Sequence, residues 1–143
     1  MELALEFEIE KFQGADCQIY VLFELLSLRE DGISHSVMPS FEEHKYFCLN
    51  NPYKEWFLIK NKQEYLGNFY IQFDNSIGIN IPSANEIILD ECLQFIKNNC
   101  KPEQEVKSKV PSSFYINVSA KNEAMRLAME NLSLSPLQIS YKL

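Results

Sequence analysis

Hydrophobic and polar positions change period several times along this chain, and each change marks an element. Residues 3–9 alternate apolar with acidic side chains, as in a half-exposed first strand. Gly14 breaks the pattern. Asp16 is placed to cap a helix over residues 17–30. That helix is dense in apolar side chains, among them Ile19, Leu22, Phe23, Leu25 and Leu26. Such density predicts burial on several sides or contact with a partner subunit, so a homodimer is an expectation. Asp31-Gly32 ends the helix, and residues 33–39 read as a loop that carries His35 and Met38. Ser40 and Glu43 have capping-box spacing, so a second helix starts at Phe41 and stops before Pro52.

The stretch 53–86 changes to a period of two. Residues 54–60 hold Trp56, Phe57, Leu58 and Ile59 and predict a strand, with a polar turn at Asn61-Lys62-Gln63. A second strand puts Tyr65, Gly67, Phe69, Ile71 and Phe73 on one face. Asp74-Asn75 turns the chain, and Ile77, Ile79 and Ile81 make a third strand that Pro82 stops. Ser83 and Glu86 repeat the capping-box spacing ahead of a helix over residues 87–98. A polar loop covers residues 101–112 and a strand residues 113–118. Asn122 caps a fourth helix with Met125, Leu127, Ala128 and Leu132 inward, and residues 137–143 alternate as a last strand. A meander that ends at a helix N-terminus leaves unpaired amides around one spot, which suits an anion. The element order predicts a mixed α/β layer with an antiparallel first half and a βαβ step in the second.

Length and charge narrow the function. The 143 residues fit one domain, 1–143, with one sizeable core. Net charge is −7, and no run of Lys or Arg tracks a phosphate backbone, so nucleic acid is not an expected partner. No stretch is long and apolar enough for a membrane, and the acidic opening residues do not form a signal peptide, so the expected compartment is the cytoplasm. Cys17, Cys48, Cys92 and Cys100 are far apart and form no C-x-x-C, which predicts small buried thiols rather than zinc or disulfides.

Three stretches resemble the GNAT superfamily of acyl-CoA-dependent acetyltransferases. SHSVMPSFEEHKYFCLNNPYKEWFLI, residues 34–59, is similar to small bacterial members of the amino-sugar acetyltransferase branch. YLGNFYI has Gly67 where the family's third strand usually has a glycine, and NVSAKNEAMRLAMENLSLSPLQISYKL, residues 117–143, is similar to the family's closing helix and strand. The resemblance implies a GNAT-like mixed sheet of about six to seven strands, an antiparallel N-terminal half, splayed central strands and about four helices. It implies acetyl-CoA as co-substrate and a small amine as acceptor. Residues 76–81 would be the strand that parts from its neighbour, with Ile79, Asn80 and Ile81 along the pantetheine arm. Asn122 would contact the cofactor. The position of the family's glycine-rich pyrophosphate loop falls on Pro82-Ser83-Ala84-Asn85-Glu86-Ile87, so Ser83, Ala84 and Asn85 would lie by the phosphates. That loop has no glycine and no basic residue here, so it is degenerate, and Glu86 would repel a pyrophosphate. The family's usual tyrosine acid aligns with Met129.

Transfer of acetyl to an amine needs a positioned thioester, a base for the ammonium proton and an oxyanion contact. Only His35 and His44 titrate near neutral pH unperturbed. His35 is in the loop that lines the acceptor pocket in GNAT proteins; it reads as base and acceptor contact or, equally, as a histidine bonding its own turn. Met38 shares that loop, and Glu42 can reach an amino-sugar acceptor or stay a surface residue. His44 reads as structural. Tyr115 can donate a proton or be a core residue with a tethered hydroxyl. Two functions compete: an acetyl-CoA-dependent N-acetyltransferase acting on a small amine such as an amino sugar, and a degenerate GNAT-fold domain without transferase activity that serves in binding or assembly.

Overall fold

The computed structural model describes residues 7–29, 37–62, 64–108 and 110–143. Five strands form one sheet: β1 (Glu8–Lys11), β2 (Glu55–Asn61), β3 (Glu64–Ile71), β4 (Ser76–Asn80) and β5 (Tyr115–Asn117). They lie side by side in chain order. Pairs from β1 to β4 are antiparallel, and β5 joins β4 in parallel. Helices α1 (Asp16–Ser27) and α2 (Phe41–Leu49) precede β2. Helix α3 (Glu86–Asn99) crosses from β4 to β5, and α4 (Glu123–Asn131) follows β5. The sheet has five strands among the described residues rather than six or seven. Residues 137–143 pair with no strand among the described residues, and their apolar side chains stand in solvent. Part of the expected first strand lies outside the described residues.

The apolar run in β2 is explained by burial on both faces. Phe57 and Ile59 join Phe69, Ile71 and Ile77 under α3 and α4, with Leu89, Cys92 and Met125. Trp56 and Leu58 point to the other face, against Ile19 and Leu22 of α1 and Cys48 of α2. One helix pair therefore covers each face. The Trp56 indole N–H donates to Asn68 Oδ1 at 3.0 Å, which satisfies both buried polar groups.

Several helix ends differ from the sequence expectation. Asp16 does not cap α1. The N-cap position is Ala15, and the buried Gln18 side chain reaches back, its Oε1 accepting from Gln13 N (2.8 Å) and Ala15 N (3.4 Å). At α3 the Ser83–Glu86 box is not formed. Ala84 adopts a positive φ of 48° in a turn closed by its N–H to the Ile81 carbonyl (2.9 Å). That turn leaves Asn85 at the N-cap, where Oδ1 accepts from Ile87 N (2.9 Å) and Ile88 N (3.2 Å). Ser40 does cap α2, accepting from Glu43 N at 3.2 Å. In α4 the inward phase is Met125, Ala128 and Met129; Leu127 is exposed. No helix among the described residues is long and apolar enough to cross a membrane.

Candidate functional site: a cleft where the sheet parts

Strands β4 and β5 pair for three residues only, Ser76 with Tyr115, Ile77 with Ile116 and Gly78 with Asn117. Beyond Gly78 they separate. β4 runs on through Ile79, Asn80 and Ile81 while still paired to β3 as far as Asn80. β5 instead turns away at Val118 into a tight turn, in which the Asn122 N–H donates to the Ser119 carbonyl at 3.0 Å. The divergence is caused by where each strand must go: Pro82 and the Ile81–Ala84 turn carry β4 into α3, and the Asn122 cap carries β5 into α4. A cleft of about 370 Å³ opens between them. In the gap the β4 backbone has no β5 residue to pair with, so an extended ligand with its own amides can complete the ladder there.

One wall is Ile79, Asn80, Ile81, Pro82 and Ala84, and the other is Asn117, Val118, Ser119 and the start of α4. Leu28 and Arg29, at the end of α1, complete the lining. They are brought there by the Asn80 side chain, whose Nδ2 donates to the Leu25 carbonyl at 3.2 Å across 55 residues of sequence. Asn122 Oδ1 accepts from Met125 N at 3.1 Å, which leaves its amide nitrogen as the group available to a ligand. Arg29 and Glu123 are the charged residues of the lining.

The expected site residues fall into three groups. Ile79, Asn80, Ile81, Ala84 and Asn122 meet in the cleft. Ser83 is exposed in the preceding turn, and the Asn85 side chain is spent on its own helix. Glu86 accepts a hydrogen bond from Asn131 Nδ2 at 2.5 Å, linking α3 to the end of α4. The N-terminus of α3 is thus filled by side chains of the chain itself and does not present the open amide nest that a glycine-rich loop makes. Met38 and Glu42, both exposed, are not part of the lining, and His35 lies outside the described residues.

Tyr115 does not line this cleft. It sits at the opposite end of the β4–β5 pair, and its hydroxyl donates to Asp74 Oδ2 at 3.3 Å. Burial and the adjacent Asp74 carboxylate push the phenol above its ordinary value, so it holds its proton. Burial pushes the Asp74 carboxyl up, yet the hydrogen bonds from the Ser76 hydroxyl and amide and from Tyr115 outweigh it and hold Asp74 below the usual range. His44 is buried between the helices of the other face. Its Nε2–H donates to the Ile19 carbonyl at 3.0 Å, with Cys48 Sγ 3.3 Å from the same nitrogen. Met129, the residue aligned with the family's tyrosine acid, is buried among α3 and sheet side chains.

Sequence reasoning missed Leu28, Arg29, Ser119 and Glu123. For the last two a signal existed, since any loop after the parting strand faces the gap. For the α1 residues there was none, because the Asn80–Leu25 contact is tertiary.

A solved structure described as a possible acetyltransferase from Clostridium difficile 630 has the same fold, with a TM-score of 0.54. It is 12% identical, and the alignment covers 96% of this chain and 97% of that one. The likeness extends over the whole chain, so the fold is acetyltransferase-like. No protein-family model matches the chain, and no curated protein does.

Proposed function

We propose that this chain is a cytoplasmic, acetyl-CoA-dependent N-acetyltransferase acting on a small amine such as an amino sugar. The observation that carries the reading is the parting of β4 from β5 after Gly78 and Asn117. A pantetheine arm is extended and carries amides, so it suits a gap in which the β4 backbone has lost its β5 partner. Ile79, Asn80 and Ile81 would hydrogen-bond or pack along the arm, and the Asn122 amide nitrogen would donate to it. The acceptor nitrogen attacks the thioester carbonyl, the C–S bond breaks, and the thiolate leaves. A β4 amide facing the gap stabilises the oxyanion, and His35 takes the ammonium proton. Met38 and Glu42, outside the cleft lining, would contact only an acceptor that extends beyond the cleft.

A specific observation supports a second reading. Asn85 and Glu86 occupy the tip of α3, where the diphosphate would otherwise seat. This favours a GNAT-fold domain that binds or assembles without transferring.

Thermal unfolding with acetyl-CoA decides between them. A ligand at 100 times its Kd stabilises by roughly 2.7 kcal/mol. In a chain of this size that is a rise of several degrees in Tm. A rise of that order, abolished when residues of the cleft are filled by Ala124→Trp, is the expected result. No shift at millimolar acetyl-CoA removes the transferase reading and leaves the second. Within the transferase reading, His35→Ala lowers turnover at least about tenfold; unchanged turnover removes the base role.

A further inference from the structure

Two features of the fold answer each other. One is an open sheet edge. β5 bonds to β4 on one side, and among the described residues no strand pairs with the other side. Unpaired backbone groups on such an edge are a template for another strand. The other feature is a strand pattern without a sheet. Along residues 137–143 the apolar Leu137, Ile139, Tyr141 and Leu143 alternate with Gln138, Ser140 and Lys142. The four apolar side chains are 74, 74, 88 and 121% exposed. A period of two with one wholly apolar face is the pattern of a strand that buries that face.

The course of the segment is set by α4. Ser133 has a φ of 66°, and Leu134 N–H donates to the Met129 carbonyl at 3.0 Å, a left-handed helix stop. Leu137 and Gln138 then pass Tyr115 at the base of β5. The residues after them stand off the sheet of their own chain.

We infer that residues 137–143 add as an antiparallel strand to the β5 edge of a second copy of this chain, and that the second copy returns the same contact. Among the described residues, each copy has an edge lacking a strand and a strand lacking an edge. A two-fold exchange satisfies both at once and closes on itself. Charge agrees with this occupant and orientation. The segment's one charged side chain is Lys142, and antiparallel addition carries it to the base of β5, beside Asp74 and Glu105. A seven-residue strand spans about 23 Å. It would therefore run past Asn117 and flank the Val118 wall of the cleft. The inference does not depend on what the cleft binds.

Sedimentation equilibrium of the full chain tests it, together with hydrogen exchange at the outward β5 amides, Ile116 and those in phase with it; the Tyr115 N–H already donates inward to the Asn75 carbonyl. The expected result is a dimer whose edge amides exchange slowly when concentrated and fast on dilution. The double variant Ile139→Lys, Tyr141→Lys should be a monomer with those amides unprotected and an unchanged far-UV spectrum. A monomeric wild-type chain overturns the inference, including one with protected edge amides, which would mean the segment folds onto its own sheet. A dimer with unprotected edge amides, or one that survives the double variant, overturns it too. Exchange in the wild-type chain gives the answer even where the variant does not fold.

Discussion

Gly67 of β3 lies against the backbone of Asn80 in β4, so closely that a Cβ at Gly67 would collide with the Asn80 carbonyl oxygen and sit 3.2 Å from Ile81 Cα. The obstructing atoms are main chain and cannot rotate away. The contact falls where β4 leaves β5 and becomes a wall of the cleft. Gly67→Ala should therefore push β4 outward and destabilise the fold by about 1–3 kcal/mol, the range for overpacking a tight site. Urea unfolding measures this. If acetyl-CoA binds in the gap, its affinity should fall in the same variant, because the wall has moved. An unchanged midpoint would mean that β4 shifts freely here.

Much of this wall is legible in the sequence, and the reasons are local. The isoleucines at 77, 79 and 81 alternate, Pro82 forbids further pairing, and Asn122 is a strong cap three residues ahead of Met125. Each signal acts within a few residues. The tip of α3 departs from its sequence pattern for a subtler reason. Ser83 and Glu86 have the spacing of a capping box, but the turn at Ala84 moves the cap two residues on, from Ser83 to Asn85. Asn75 shows the tertiary limit. It reads as an ordinary turn residue, yet it is fully buried and its side chain bonds to Glu103 N (2.6 Å), Glu103 O (3.1 Å) and Pro111 O (2.7 Å). No sequence pattern announces that it holds the 101–112 loop to the sheet. The strand pattern of residues 137–143 was real as a pattern, but a pattern does not supply an edge.

The Tyr115 hydroxyl donates to Asp74, away from the cleft. Tyr115→Phe removes one partly exposed hydrogen bond and should cost about 1 kcal/mol of stability. If the chain binds acetyl-CoA and turns it over as proposed, both affinity and turnover should stay as in the wild-type chain. A large loss of turnover without loss of binding would put Tyr115 back in the reaction.

His44 makes the fold sensitive to mild acid. Burial lowers its pKa from the ordinary 6.5, with the hydrogen bond to the Ile19 carbonyl pulling the other way. The unfolded chain therefore binds a proton that the folded chain refuses. The His44 contribution is complete above about pH 6.5 and falls as pH drops from there toward the folded-state value. Urea midpoints from pH 8 down to pH 5 should decline in the wild-type chain, and His44→Gln should flatten that decline. An equal slope in both would assign the sensitivity to other groups, of which Asp74 acts only at lower pH because its own folded value lies below 3.8.

Asn85 sets stability against anion binding at one helix end. Its Oδ1 takes the Ile87 and Ile88 N–H groups, the donors that an incoming phosphate would need. Asn85→Ala should lose about 1 kcal/mol of stability, and Asn85→Gly only a few tenths. Glycine also relaxes the backbone beside the Ala84 turn, so Asn85→Gly frees both amides at small expense to the fold. Glu86→Gln, made together with it, removes the carboxylate that faces the same spot. Calorimetry with acetyl-CoA should then show tighter binding in Asn85→Gly than in the wild-type chain, and tighter again in the pair. The dephospho, phosphate-free pantetheine thioester should bind all three alike, because it makes no demand on the helix end. If acetyl-CoA affinity does not rise, the diphosphate is held elsewhere, and Arg29 on the opposite lining becomes the residue to replace next.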